Sequence, residues 1–150
     1  MPACSCPCVI ALSRYPGYPG QTHRFEVRPG IWMNYVDQGP RDGEVVVMLH
    51  GNPSWSYLWR HLVNGLSDTY RCIVPDHIGM GLSHKPDDSR YDYTLQSRVD
   101  DLTALLDHLG IDKAAIIGTS RGGLNGLFLA ATQKARLRGR SEETRLNSSH

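Results

Sequence analysis

Long apolar runs are absent from this chain. Nothing in its 150 residues approaches the roughly 20 consecutive apolar positions of a membrane helix, so no membrane partner is expected. Early positive charge is absent too. Met1 to Leu12 carries no Lys or Arg and only a short apolar stretch, unlike a signal peptide. Neither sign of charge dominates: 16 Lys and Arg stand against 15 Asp and Glu, a net charge of +1 that selects no partner. Residues 133–150 are locally basic, but they lack the interleaved aromatics of a nucleic-acid surface and read as a solvated tail. No disulfide framework is visible among the four cysteines. Cys4, Cys6 and Cys8 are spaced more tightly than zinc ligands and lack a nearby fourth ligand, so they read as a loose N-terminus. Cys72 lies in an apolar strand pattern and reads as a buried, inert thiol. Cysteine usage fits a reducing compartment, so a cytoplasmic location is expected.

What is present is enough for one core, since hydrophobic residues make up 40% of the chain. Residues 1–21 are rich in Cys, Pro and Gly and read as irregular. Arg24–Arg28 and Ile31–Asp37, joined by Pro29-Gly30, read as a hairpin. Glu44 to Leu49 is β-branched and continuous, as in a strand buried on both faces. Trp55, Trp59, Leu62 and Leu66 follow at helical spacing, with Leu58 beside them. Tyr70 to Val74 is a second buried strand, followed by a Gly-containing loop to Pro86. Leu95, Val99, Leu102, Leu106 and Leu109 form an amphipathic stripe that Thr94 can cap at its start and Gly110 at its end. Ala114 to Ile117 is a third buried strand, and Gly118 to Gly123 opens a helix carrying Leu124, Leu127, Phe128 and Ala131. Alternation of strands and helices predicts an α/β fold, a mostly parallel sheet with helices on both faces.

Gly118-Thr119-Ser120-Arg121-Gly122 is a G-x-S-x-G sequence between a buried strand and a helix. In that setting it reads as a nucleophile elbow presenting Ser120. A serine hydroxyl is a weak nucleophile until a base accepts its proton. The backbone N–H groups of Asn52 and Arg121 are the expected oxyanion donors, because both follow strand ends. His50, ahead of the elbow at a strand end, reads as a structural histidine bracing its loop.

These residues, together with Leu49 to Trp55, Pro75 to Ser83 and the Thr94–Leu109 helix, make the chain resemble the α/β-hydrolase fold family over roughly residues 22–138. The resemblance implies the N-terminal part of a doubly wound, mostly parallel sheet, truncated after the elbow helix. His50-Gly51-Asn52-Pro53 looks most like the haloalkane dehalogenase and epoxide hydrolase branch, in which the Asn can help bind halide. That branch carries an Asp nucleophile, often in Asp-Trp-Gly-Gly, where this chain has Ser120-Arg121-Gly122-Gly123. The elbow resembles serine esterases instead, and a join of two related sequences near residues 110–113 would account for the switch. By the same resemblance Asp76 is structural and orders its loop. The implied function is hydrolysis of an ester-like carbonyl by a serine nucleophile, with a small-molecule substrate, water as co-substrate and no cofactor or metal. A diverged or chimeric dehalogenase-like hydrolase and a non-catalytic interaction protein on the same fold are the alternatives.

The family's chain order places an acid and then a histidine well after the nucleophile. After Ser120 the only acids are Glu142 and Glu143 and the only histidine is His150. They lie in a tail without apolar periodicity, so no triad acid or base is assigned in this chain. Arg140 to His150 resembles a translated sequencing adapter. The expected organisation is an irregular segment 1–21, native or not, a partial hydrolase domain 22–139 and a non-native tail 140–150, inactive as it stands. The Ala114–Ile117 strand would then lie at an open sheet edge, which invites aggregation.

Overall fold

A computed structural model describes residues 15–18, 22–120, 122, 125 and 126, and the backbone of 137–140. Strands β1 (Thr22–Arg28) and β2 (Ile31–Gln38) form the hairpin, turning at Gly30 with φ 73°. Then come β3 (Val45–Leu49), a 3-10 turn (Ser56–Trp59), helix α1 (Arg60–Leu66), β4 (Arg71–Pro75), helix α2 (Leu95–His108), β5 (Ala114–Gly118) and β6 (Leu137–Arg140). The described strands make one sheet in the order β1-β2-β4-β3-β5-β6. The hairpin joins β4 antiparallel, and β4, β3, β5 and β6 run parallel.

Side-chain alternation explains the two-faced core. Val47, Leu49 and Ile73 face α2 and pack with Val99, Leu102, Leu105 and Leu106. Val46, Met48, Cys72 and Val74 face the other way, against Trp59 and Val63. Full burial of a side chain such as Leu102 or Leu105 contributes about 2 kcal/mol each. Cys72 is fully buried, and burial pushes its thiol up to about 11.

Helix α2 begins and ends where its caps dictate. The Thr94 hydroxyl accepts the Ser97 N–H at 3.1 Å. At the other end Gly110 adopts φ 68°, while its N–H reaches Asp107 O and the Ile111 N–H reaches Leu106 O. This Schellman pair satisfies carbonyls that the last turn would leave orphaned, with Ile111 and Leu106 both in the core.

Two expectations need correction. The helix after Trp55 buries Trp59 and Val63, whereas Leu58 and Leu62 are exposed. A 3-10 turn over Ser56–Trp59 advances the phase ahead of α1, so one 3.6-residue stripe cannot describe the segment. The β5 strand is also not an open edge. β6 pairs with it in parallel, Ala114 opposite Leu137 and Ile116 opposite Arg140. Backbone pairing needs no apolar alternation, and Leu-Arg-Gly-Arg offers none to read. The strand runs to Arg140. Gly122, Asn125 and Gly126 are helical. The expected core positions Leu124, Leu127, Phe128 and Ala131, the three N-terminal cysteines and residues 141–150 lie outside the described residues.

An ion pair links β2 to β4. Arg71 donates Nε to Asp37 Oδ1 at 2.9 Å and Nη2 to Oδ2 at 2.7 Å, with both side chains almost fully buried. Burial acts to raise the Asp37 carboxyl, but the Arg71 hydrogen bonds and charge outweigh it, and the net shift is downward. A lowered acid stabilises the fold above its unfolded value, about 3.9, and that contribution fades as pH falls through the lower folded value. Thermal melts should therefore show Asp37→Asn destabilised by about 2 kcal/mol at pH 7. The gap to the parent should shrink below about pH 4; a gap independent of pH would contradict the linkage.

Candidate active site

The site is built at the carboxyl ends of two neighbouring parallel strands, where α/β sheets open into a crevice. β3 and β5 are in register, with Leu49 opposite Gly118. Their continuations, His50-Gly51-Asn52 and Thr119-Ser120, therefore leave the sheet side by side. The Thr119 N–H still donates to Leu49 O at 3.3 Å, and then the chain turns. Ser120 sits at the tip with φ 52°, the sole non-glycine residue with positive φ among those described. It is exposed. A side chain held in that sparsely populated region marks a backbone constrained by its surroundings.

The constraint is visible at Gly122. A Cβ there would lie 2.1 Å from Leu49 O and 2.8 Å from His50 O. The helix entered at this glycine is thus seated directly on the end of β3. Gly51 also passes close to the tip: a Cβ on it would stand 3.1 Å from Ser120 Cβ and 3.6 Å from Ser120 Oγ.

His50 is fully buried and both ring nitrogens are occupied. Nδ1 donates to Gly51 O at 2.7 Å, and Nε2 accepts the His77 backbone N–H at 3.0 Å. Burial lowers its pKa, with the Gly51 carbonyl acting the other way. A neutral imidazole with no free nitrogen braces the loop and cannot take a proton from Ser120.

Asp76 locks the following loop. It is fully buried, and its carboxyl accepts three N–H groups: Ser56 at 2.7 Å, Leu82 at 3.0 Å and Asn34 Nδ2 at 3.2 Å. Its backbone N–H donates to Asn34 O, and its carbonyl accepts the Ser83 hydroxyl at 2.6 Å. Three donors converge on the carboxyl and a fourth on the carbonyl, which makes Asp76 a structural organiser.

Across Gly51 from Ser120, which does not itself line it, lies a cavity of about 280 Å³, lined in part by Asn52, His77, Tyr93, Arg98 and Asn125. Asn52 is exposed at its mouth, ahead of a cis Asn52–Pro53 peptide. Arg121, Glu142, Glu143 and His150 lie outside the described residues. Sequence reasoning left His77, Arg98 and Asn125 without roles. The usable signal for Arg98 was a cation one turn into α2, directly beside the apolar stripe; His77 and Asn125 meet only through the fold. Trp55, Tyr57 and Trp59 do not line this cavity. Trp59 is in the core, and Trp55 stacks on Tyr18 and Tyr57 at 5.4 and 5.5 Å between ring centres. Among the described residues no group of three His, Cys, Asp or Glu could hold a metal ion, and no helix is long and apolar enough to cross a membrane.

The strand–turn–helix geometry coincides with a sequence match: the profile of the alpha/beta hydrolase fold covers residues 44–139. This chain belongs to that family. Among hydrolase-fold relatives, a cis-3-alkyl-4-alkyloxetan-2-one decarboxylase of Xanthomonas campestris pv. campestris is 63% identical over 130 residues, 83% of this chain and 43% of the relative. A haloalkane dehalogenase of Mycolicibacterium paratuberculosis is 40% identical over 127 residues, 80% of this chain and 41% of the relative. Among solved hydrolase-fold structures, a haloalkane dehalogenase loop variant from Bradyrhizobium elkanii superposes with a TM-score of 0.74 at 37% identity, covering 80% of this chain and 38% of that one. The Vigna radiata epoxide hydrolase VrEH1 gives 0.73 at 31% identity, with 80% and 38% covered. The chain spans less than half the length of the curated relatives it matches.

Proposed function

We propose that this chain is the nucleophile-bearing part of a serine-type α/β hydrolase acting on an ester-like carbonyl. The observation that carries the proposal is Ser120, exposed at φ 52° on a turn between β5 and a helix seated on Leu49. Ser120 Oγ bonds to the carbonyl carbon as its proton passes to a base. The carbonyl electrons move onto oxygen, and the backbone N–H groups of Asn52 and Arg121 receive that oxyanion. Collapse breaks the ester C–O bond, the leaving alkoxide takes the proton back from the base, and water then hydrolyses the acyl-serine to the acid and restores the Ser120 hydroxyl. The base and its orienting acid come from the part of the relatives' length that this chain does not span, so the 150-residue chain alone is inactive. The relative of 63% identity is named for an oxetan-2-one, a strained cyclic ester, which supports lactones as the substrate class. The substrate is a small molecule, with water as the second reactant.

The test is a fluorophosphonate probe applied to a protein of the relatives' length carrying this chain. One label per chain is expected, abolished by Ser120→Ala together with an ester-hydrolysis loss of about 10³-fold or more. Unchanged hydrolysis by the alanine variant would exclude Ser120 as nucleophile. Relatives named haloalkane dehalogenase support a second reading, in which the chain serves a dehalogenase-like hydrolase. Halide release that survives Ser120→Ala would select it.

A further inference from the structure

We propose that the cavity across Gly51 from Ser120 is an anion subsite for a carboxylate, with Arg98 as its charged donor and the His77 ring in its wall. Arg98 lines the cavity one turn into α2. Among the described residues no Asp or Glu lines the same space, and none is within ion-pair distance of Arg98. The nearby acids are engaged elsewhere. Asp76 is held by three N–H groups, and Asp101 accepts Arg28 Nε at 3.0 Å and the Tyr91 hydroxyl. One guanidinium N–H of Arg98 donates to Ile78 O, which fixes the fork and leaves the remaining donors without a charged partner.

His77 provides the second, independent observation. It is only 3% exposed, lines the cavity, and its Nδ1 has no hydrogen-bond partner. Asn125 Nδ2 can only donate, and it stands 3.3 Å from His77 Nε2. Nε2 is therefore the acceptor, and the ring proton sits on Nδ1. Burial holds the imidazole well below its ordinary pKa, with His50 and Arg98 adding to the effect, so it stays neutral. A buried N–H without an acceptor is costly; this nitrogen is closed to a water-sized oxygen, so a ligand relieves that cost only as the ring turns toward the cavity. The start of α2 faces the same space through Thr94 and Leu95, and its dipole adds positive potential.

The occupant that suits this site is the carboxylate formed when the acyl-serine is hydrolysed. That identity rests on the acyl-transfer reading; the subsite itself does not require Ser120 to react. The two are separable in a Ser120→Ala protein of the relatives' length, where only binding is measured. Calorimetry should show 3-hydroxybutyrate binding, with no binding of the uncharged 3-hydroxybutyramide. Bromide should weaken the carboxylate's apparent affinity by competition. Arg98→Met should weaken it by about tenfold or more, and Arg98→Lys, which keeps the charge, by less. Amide binding as tight as that of the acid would overturn the proposal even if the Arg98 variants fail to fold. So would an unchanged Kd in folded Arg98→Met, or no carboxylate binding at all. None of these results bears on the labelling of Ser120.

Discussion

Replacing Gly122 with alanine is expected to destroy the fold around the site. The added methyl would stand 2.1 Å from Leu49 O, 2.6 Å from Leu49 C and 2.8 Å from His50 O. All three atoms are backbone, so no rotamer change relieves the clash. Either the helix lifts off the end of β3 or β3 shifts against β5, breaking a register that runs from Val45 to Leu49. A destabilisation of about 4 kcal/mol or more follows, at the upper end of what single substitutions do. Denaturant titration of Gly122→Ala should show a lost or strongly shifted transition, and in a protein of the relatives' length ester hydrolysis should fall in parallel. Gly65→Ala is the matched control. Nothing lies within 4 Å of a Cβ there, and the position is in α1. Its stability should rise by about 0.5 kcal/mol from helix propensity and reduced chain entropy. Equal midpoints for the Gly122 variant and the parent would refute the steric account of the turn.

Removing the Asp76 carboxyl should have the next largest effect. Asp76→Ala leaves the Ser56 and Leu82 backbone N–H groups and Asn34 Nδ2 without their acceptor. Each orphaned buried donor costs about 1–3 kcal/mol, so a total near 4 kcal/mol is expected. Asp76→Asn is the sharper variant, because it keeps the volume. Ser56 is served by Oδ1 and Leu82 by Oδ2, so whichever way the amide turns, its NH₂ faces a donor. Asparagine should therefore cost about 2 kcal/mol or more. A near-neutral asparagine, measured by urea denaturation, would mean that the side chain only fills space.

Much of the scaffold was legible because local rules and tertiary packing agree. The Glu44–Leu49 run became β3, and Thr94 and Gly110 bracket α2 through bonds their side chain and backbone were expected to make. Where local pattern and packing part, the sequence was mute or misleading. The 3-10 turn rotated Leu58 and Leu62 outward, and β6 formed from a segment with no strand pattern. The site divides in the same way. The sharp turn at Ser120 was readable from its glycines and flanking elements. The His77–Asn125 contact joins residues 48 apart, and spacing carries no information at that range. His50 was readable as a brace by its place in the chain, yet its two partners, Gly51 O and the His77 N–H, emerge only from the packed loop.

The strand order has a consequence for the sequence of events during synthesis. β2 and β3 are consecutive in the chain but are separated in the sheet by β4, which is buried at every position. A nascent chain that has emerged only to Tyr70 thus holds a hairpin and a lone β3 strand with no edge in common. Emergence of Arg71–Pro75 joins them in one step, antiparallel on one side and parallel on the other. Translation pauses ahead of residue 71 prolong the exposure of two unpaired edges, and the interval just before it is where a chaperone's hold on this protein matters most.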